Sequence, residues 1–156
     1  MAVATDEELF KEFLKGDQRS LEIILKRYQR PLYGYIYRMI GEGSMAEDIF
    51  QETFKRVISR RHFFNPRRKL SSWIFKIASN LCVDHLRKHR REVSLADPPL
   101  VETSRAEDPE HRAMSKEIRE RIDEAVRALP HDQREVFLLR EEAGLSFRQI
   151  ASVTKA

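Results

Sequence analysis

The sequence predicts an all-α protein with two helical modules joined by a flexible linker. Of its 156 residues, 35% are charged and 41% are hydrophobic, and it has only 5 glycines and 6 prolines, a composition typical of soluble helical chains. Apolar residues recur at helical spacing in successive segments, and no segment shows the alternation of a strand. We expect a module over 1–91, a linker over 92–112 and a smaller module over 113–156.

The first two helices are expected close to the amino terminus. Thr5 and Glu8 form a capping box, which predicts the start of a short helix. Asp17 is suited to cap a second helix over residues 18–41. Pro31 lies inside that second helix and should kink or split it.

Two further helices and a loop complete the predicted first module. Ser44 with Glu47 is expected to cap a helix over residues 45–60. Residues 61–71 contain an Asn-Pro pair and are predicted to form a loop. A fourth helix is expected over residues 72–90.

Residues 92–112 differ in composition from the segments on either side. They contain three prolines and six acidic residues but no aromatic residue, which predicts an extended and mobile linker. Three helices are expected beyond it, over 113–128, 131–142 and 146–154. Ser146 and Gln149 have the spacing of a capping box at the start of the last one.

Positive charge is concentrated in one block of the chain. The net charge is +4, yet residues 53–91 hold 12 Lys and Arg against a single acid, Asp84. A solvated basic face is one interpretation of this block. Because aromatic residues are interleaved with the cations, a surface that binds a polyanion is the favoured interpretation.

The sequence also excludes several classes of protein. The first residues lack the basic start and apolar run of a secretion signal, and no apolar stretch approaches the ~18 residues of a membrane span. Cys82 is the single cysteine, so an internal disulfide is excluded and a reducing cytoplasm is expected. We expect no membrane insertion.

The helix expected over 45–60 has a polar face and an apolar face. Asp48, Gln51 and Glu52 lie together on the polar face, beside Lys55. An ordinary solvated face explains this pattern, and so does a binding site for a basic partner helix through charge-assisted hydrogen bonds. The opposite face is expected to hold Ala46, Phe50, Thr53, Phe54, Val57 and Ile58.

The helix expected over 72–90 combines several chemistries along one stripe. The stripe offers an aromatic ring, amide and acid groups, and cations, which together favour locally opened DNA over a duplex. Its members are Trp73, Lys76, Asn80, Asp84, Arg87 and Arg91. The opposite side is expected to face the core with Ile74, Ile77, Ala78, Leu81, Cys82 and His85.

Metal and enzyme chemistry receive little support from the residues. Cys82, His85 and His89 have a spacing compatible with zinc, but all three fall on the core-facing side and no fourth ligand lies nearby. The chain has no Gly-rich phosphate loop and no hydrolase or metalloprotease motif. We expect no metal, no cofactor and no catalytic residues.

Three stretches of the sequence resemble one family. AEDIFQETFKRV (46–57) and WIFKIASNLCVDHLRKHRR (73–91) resemble region two of bacterial sigma factors of the extracytoplasmic-function group. ALPHDQREVFLLREEAGLSFRQIASV (128–153) resembles the first part of their region four. With residues 17–40, the resemblance covers nearly the whole chain outside the linker.

The resemblance implies a function in transcription initiation. Sigma factors are dissociable subunits of RNA polymerase that confer promoter recognition and help to open DNA. In the family, the polar face of the AEDxxQE helix binds the coiled-coil of the largest catalytic subunit, which here implicates Asp48, Gln51 and Glu52.

The basic helix and the loop before it resemble the elements that capture the −10 element of the non-template strand. The candidates on the helix are Trp73, Lys76, Asn80, Arg87 and Arg91. Those in the loop are Phe64, Arg67 and Arg68. For Trp73, a place in the core is an alternative.

Further partners are also implied by the family. Region four contacts the polymerase flap and reads the −35 element through a second helix, and an anti-sigma factor holds such proteins inactive. This sequence ends at Ala156, about where the turn before that reading helix is expected. The resemblance therefore leads us to expect a truncated region four, without −35 contacts.

Two other functions remain open at this point. One is a stand-alone helical DNA-binding regulator that uses the basic helix alone. The other is a truncated sigma factor that binds polymerase without recognising the −35 element.

Overall fold

The computed structural model describes the backbone of residues 3–93 and 115–154, and the side chains of residues 3–90 and 115–154. The described part contains no strand, which confirms the all-α prediction. Most of the predicted linker, 92–112, lies outside it. The helices are α1 (Asp6–Leu14), α2 (Gln18–Ile40), α3 (Gly43–Ser59), α4 (Leu70–Val93), α5 (Lys116–Ala128), α6 (His131–Glu141) and α7 (Phe147–Thr154), with a 3₁₀ turn at Arg61–Phe63.

Most of the predicted helix starts are confirmed by their hydrogen bonds. The Thr5 hydroxyl accepts from the Glu8 backbone N–H at 3.1 Å, and the Glu8 carboxylate accepts from the Thr5 N–H at 3.3 Å. Asp17 caps α2 through a bond of 3.0 Å. Ser146 and Gln149 form a second capping box, with bonds of 2.8 and 3.1 Å.

We expect Thr5→Ala to lower the free energy of unfolding by about 1 kcal/mol, because it leaves a first-turn N–H of α1 without its acceptor. Chemical denaturation monitored by circular dichroism measures this change. Thr5→Ser is the control, since serine retains the oxygen and should hold the midpoint close to that of the parent chain. Equal stability of Thr5→Ala and the parent would contradict the role of the cap.

Pro31 does not divide α2, contrary to the expectation of a split. The helix runs without a break from Gln18 to Ile40. Buried residues lie on the same side of the helix before and after the proline, including Tyr28 and Tyr35. Packing of both halves against one core outweighs the loss of one backbone hydrogen bond.

The cap of α3 differs from the prediction. The Glu42 carboxylate accepts from the backbone N–H groups of Ser44 and Met45 at 2.8 and 2.9 Å. The helix therefore begins at Gly43, and both residues of the predicted cap, Ser44 and Glu47, lie inside it. A carboxylate is favoured at this end because the helix dipole is positive there.

Helices α1 to α4 surround an apolar core, and α1 holds the start of α4. The Glu7 carboxylate accepts from the Leu70 backbone N–H at 2.9 Å, across 63 residues of sequence. At the same amino-terminal end of α1, Asp6 accepts from the Tyr28 hydroxyl at 2.5 Å and from Arg27 at 2.9 Å. These bonds fix α1 against both α2 and α4.

Helices α5 to α7 form a second unit, which we call the C-terminal unit (115–154). Its apolar residues face one another and the first module; the buried ones are Val126, Leu138, Leu139, Leu145, Ile150 and Val153. Helices α5 and α6 contact α2, and α7 contacts α4. None of the described helices has the length and apolar composition that a bilayer span requires.

Candidate functional site

The predicted acid–amide face of α3 lies on the surface of the molecule. Asp48 and Gln51 are exposed, and Glu52 is partly exposed and pairs with Arg56 at 3.2 Å. The inner side of the helix is buried, as Ala46, Ile49, Thr53, Phe54 and Val57 show. Asp48, Gln51 and Glu52 are therefore available to a partner.

The inner side of α3 corrects two details of the sequence analysis. Ile49 is buried although it was not assigned to the core, and Ile58 is 36% exposed although it was. The buried Thr53 is satisfied by donating its hydroxyl to the Ile49 carbonyl at 2.7 Å.

The predicted stripe on α4 is exposed along most of its described length. Lys76, Asn80, Asp84 and Arg87 are all exposed. The side chain of Arg91 lies outside the described residues. From the start of α4 to Arg87 the helix rises about 25 Å, at ~1.5 Å per residue.

Two of the aromatic candidates belong to a cluster that includes Phe10 of α1. The Phe10 ring makes edge-on contacts with Phe64 at 5.2 Å and with Trp73 at 5.9 Å, and Phe64 and Trp73 are 5.3 Å apart. Phe64 is only 8% exposed, while Trp73 is half-buried. In this conformation the Phe64 ring packs in the core, and Trp73 presents only part of its ring to the surface.

The loop before α4 carries an exposed aromatic ring that the sequence analysis missed. Phe63 is 82% exposed. Both Phe63 and Phe64 were visible in the sequence, but only the packing onto Phe10 shows which ring is buried. The sequence signal was the pair of adjacent phenylalanines, because neighbouring side chains seldom point the same way and one of the two rings is therefore expected on the surface.

A turn organises the cations of this loop. The side-chain oxygen of Asn65 accepts a hydrogen bond from the Arg67 backbone N–H at 3.0 Å. The backbone carbonyl of Asn65 accepts one from the Arg68 backbone N–H, also at 3.0 Å. Arg67, Arg68 and Lys69 are exposed and lead directly into the exposed stripe of α4. We call the loop cations together with Lys76, Asn80 and Arg87 the basic strip.

The side of α4 that faces the C-terminal unit is more buried than the sequence indicated. Phe75 is 1% and Ser79 2% exposed. The Ser79 hydroxyl donates to the Glu135 carboxylate of α6, and Glu135 is itself buried. Neither residue was a sequence candidate, because the contact joins positions 56 residues apart.

Burial shifts several pKa values around this contact. It raises the pKa of the Glu135 carboxyl, while the Ser79 hydroxyl and nearby His131 partly offset the shift and Asp132 adds to it. Burial also raises the pKa of Tyr35 on α2 and of the Cys82 thiol on α4, and the Glu135 charge contributes to both. The charged form of Glu135 is therefore disfavoured here.

This shift predicts a pH dependence of stability. The folded chain keeps the Glu135 carboxyl protonated to a higher pH than the unfolded chain does. The contribution of this carboxyl to the free energy of unfolding therefore falls as the pH rises above about 4.5, the ordinary pKa of the group. Glu135→Gln keeps an oxygen for Ser79 without the charge. We expect it to raise the melting temperature at pH 8, where 1 kcal/mol corresponds to roughly 2–4 °C.

Thermal melts of both chains between pH 5 and pH 8 test this expectation. The difference between variant and parent should grow with pH. A variant less stable than the parent by the same amount at every pH would show that the carboxylate is not disfavoured.

The zinc-compatible residues do not converge on a metal site. The His85 and His89 rings stack at 6.0 Å, and Cys82 is buried. Across the described residues, no three His, Cys, Asp or Glu side chains come together in an arrangement suited to a metal ion.

Two family models match the chain, in the same order as its two units. The model of sigma-70 region 2 matches residues 24–92. The model of sigma-70 region 4 matches residues 119–155.

Named relatives match along almost the whole chain. The RNA polymerase sigma-H factor of Pseudomonas aeruginosa is 29% identical over 157 residues, which cover 95% of this chain and 81% of that protein. The ECF RNA polymerase sigma-E factor of Escherichia coli is 27% identical over 158 residues, covering 96% of this chain and 82% of that protein.

Solved structures share the fold. The sigma factor RpoE in complex with the anti-sigma factor NepR from Bartonella quintana superposes with a TM-score of 0.71 and 22% identity, covering 86% of this chain and 82% of that one. CnrH in complex with the cytosolic domain of CnrY gives a TM-score of 0.67 and 21% identity, covering 95% and 81%.

Proposed function

Because the chain belongs to the extracytoplasmic-function sigma factors of the sigma-70 family, and so directs RNA polymerase to promoters, we propose how its surfaces divide that task. Asp48, Gln51 and Glu52 on α3 bind core RNA polymerase. The basic strip binds the −10 element while the DNA is opened. The observation that carries the proposal is the separation of these two exposed polar faces on adjacent helices of one module.

The acid–amide face is suited to a basic helical partner. Two carboxylates and one amide project from a single helical face, and their backbone is held by the buried residues beneath. Charge-assisted hydrogen bonds to Arg or Lys are the strong contacts such a face can make. The partner we assign to it is the coiled-coil of the largest polymerase subunit.

The basic strip is suited to a single strand. Arg67, Arg68, Lys76 and Arg87 supply charges for phosphates, and Asn80 supplies an amide that can bond to an exposed base edge. For a strand that keeps the stacked spacing of duplex DNA, ~3.4 Å per nucleotide, a length of about 25 Å corresponds to roughly seven nucleotides. The strip is thus long enough for a −10 element.

The aromatic contribution to base capture changes with the structure. Because the Phe64 ring packs in the core, we assign the role of stacking on a base to the exposed ring of Phe63 instead. Trp73 contributes the accessible part of its ring beside the strip, and its packing on Phe10 makes it a structural residue as well. Arg91 remains a candidate on sequence grounds alone.

Protein partners of the C-terminal unit follow from its exposed apolar residues. Ile118 and Ile122 of α5 are 53% and 42% exposed, and Phe137 of α6 is 39% exposed. Such side chains suit apolar contacts, and we propose the polymerase flap and an anti-sigma factor as partners. The solved complexes of RpoE with NepR and of CnrH with CnrY support the second.

A subunit of this kind acts where RNA polymerase meets the chromosome, so we place it in the cytoplasm. It contributes binding and strand capture, and the polymerase performs the catalysis. We assign it no cofactor and no catalytic residue of its own.

Transcription with purified core polymerase tests the proposal against a stand-alone DNA-binding regulator. We expect the chain to co-purify with core polymerase and to produce run-off transcripts from a subset of a promoter library. Core polymerase alone is the control. A chain that binds DNA but never binds polymerase would instead be the regulator.

A further inference from the structure

The first turn of α1 carries three consecutive acidic side chains that accept hydrogen bonds from three different parts of the chain. Glu8 caps α1 itself, and Asp6 accepts from two side chains of α2. Glu7 instead accepts from the Leu70 backbone N–H at 2.9 Å. Leu70 is the first residue of α4, where the N–H groups have no partner inside the helix. Glu7 therefore caps a helix that begins 63 residues later in the sequence.

Helix α1 also anchors the start of the loop that leads into α4. The Phe10 ring meets the Phe64 ring edge-on, with the ring centres 5.2 Å apart. The two residues are 1% and 8% exposed, so this contact is part of the core. Because residues 7 and 10 are three positions apart, they lie on the same face of α1. That face holds both ends of the loop 64–70.

The cations of the loop lie between these two anchors. Asn65 accepts from the backbone N–H groups of Arg67 and Arg68, in a turn whose second position is Pro66, where proline is favoured. Arg67, Arg68 and Lys69 are adjacent and exposed, so their like charges repel one another. Ordering such a loop costs conformational entropy. The two attachments to α1 offset that cost before any DNA is bound.

We propose that Glu7 is a positioning residue for recognition of the −10 element, because its hydrogen bond to Leu70 holds the loop cations and the first turn of α4 in the binding arrangement. The proposal rests on the proposed function, since it takes the basic strip to bind that element. Glu7 acts through the backbone of Leu70 and needs no contact with DNA itself. Groups that are ordered in advance bind more tightly, because less freedom is lost when the ligand arrives.

The single tryptophan of the chain reports on this anchor. Trp73 lies three residues after Leu70, in the first turn of α4, and is half-buried. Its ring is 5.9 Å from that of Phe10. Quenching of its fluorescence by acrylamide therefore measures how firmly α1 holds the start of α4.

Three variants separate the anchor from stability and from charge. Glu7→Ala removes the acceptor, whereas Glu7→Gln keeps an oxygen that can accept from the Leu70 N–H and removes only the charge. Asp17→Ala is the matched control, because Asp17 is a carboxylate that caps α2 at 3.0 Å, away from the loop. It deletes the same charge and a similar capping bond. Circular dichroism establishes that each chain is folded at the assay temperature.

We expect Glu7→Ala to increase the acrylamide quenching constant of Trp73 about twofold, because the first turn of α4 opens more often. With the full chain bound to core polymerase, its Kd for a single-stranded −10 oligonucleotide should rise about tenfold. Its Kd for a scrambled strand should change less than about twofold, because cations on a loosened loop still attract phosphates. Glu7→Gln and Asp17→Ala should stay within about twofold of the parent in every measurement.

Each contrary outcome has a distinct meaning. Equal weakening of −10 binding by Asp17→Ala and Glu7→Ala would assign the effect to lost stability and overturn the positioning role. A Glu7→Ala chain that binds the −10 strand like the parent would overturn it as well, and so would a Glu7→Gln chain as weak as Glu7→Ala. If the parent holoenzyme binds the −10 and scrambled strands equally, the proposed function fails, and the positioning role falls with it even where Trp73 still reports the anchor.

Discussion

Replacing Asp48, Gln51 and Glu52 together with alanine should raise the Kd for core RNA polymerase by about 100-fold or more. That change corresponds to ~3 kcal/mol, within the range found when several central interface residues are truncated. The three side chains contribute little to folding, since Asp48 and Gln51 are exposed and the Glu52–Arg56 pair is partly exposed. Exposed i,i+4 pairs stabilise by only ~0.3–0.5 kcal/mol.

The matched control replaces Glu22, Gln29 and Glu124 with alanine. These residues are also exposed, and their removal deletes the same two negative charges and one amide. Fluorescence titration with labelled core polymerase measures both triple variants, and thermal melting checks that each is folded. A control triple as weak as the α3 triple would show that net charge, and not the α3 face, governs binding.

Replacing Lys76 and Arg87 with alanine should weaken binding of a single-stranded −10 oligonucleotide about tenfold at 0.15 M salt. Each phosphate contact on a single strand contributes ~0.7 to the slope of log K against log salt. Loss of two contacts should therefore reduce that slope by about 1.4. The oligonucleotide is taken from a promoter that the chain transcribes. Fluorescence anisotropy titrations at salt concentrations from about 0.05 M to about 0.3 M measure this slope.

Asn80→Ala separates recognition from charge in the same assay. It should reduce discrimination between the −10 sequence and a scrambled strand while leaving the salt slope unchanged, because an amide releases no counterion. Lys26→Ala with Arg19→Ala, two exposed cations of α2, is the charge-matched control for Lys76 and Arg87. An equal loss of slope in that control would assign the effect to the overall charge of the chain.

Local chemistry predicted most of the helices but not every boundary. The Thr5–Glu8 and Ser146–Gln149 boxes were legible because both partners lie within four residues of each other. Ser44–Glu47 has the same spacing, yet Glu42 caps the helix. Glu42 lies two residues before Ser44 and is also close enough to cap the helix. The capping-box motif alone does not show which of the two side chains forms the cap.

Contacts between distant segments account for the remaining differences. Burial of Phe64 depends on Phe10, more than 50 residues earlier, and burial of Ser79 depends on Glu135. The periodicity of α4 marks one apolar side and one polar side, but it cannot reveal the packing of α4 against α7 or its hydrogen bond to Glu135 of α6. The exposed polar faces of α3 and α4 were predictable from helical periodicity alone, because a side chain that faces solvent does not depend on contacts with distant parts of the chain.

The hydrogen bonds and ring contacts of α1 show where the first helical module begins. The region 2 family model starts at residue 24, whereas Glu7 supplies the acceptor for Leu70 at the head of α4 and Phe10 buttresses Trp73. A fragment excised at the family boundary would lose both supports and leave an apolar surface where α1 had been. We therefore expect the smallest unit that folds on its own to include α1 and its cap at Thr5, upstream of the first residue that the region 2 model matches.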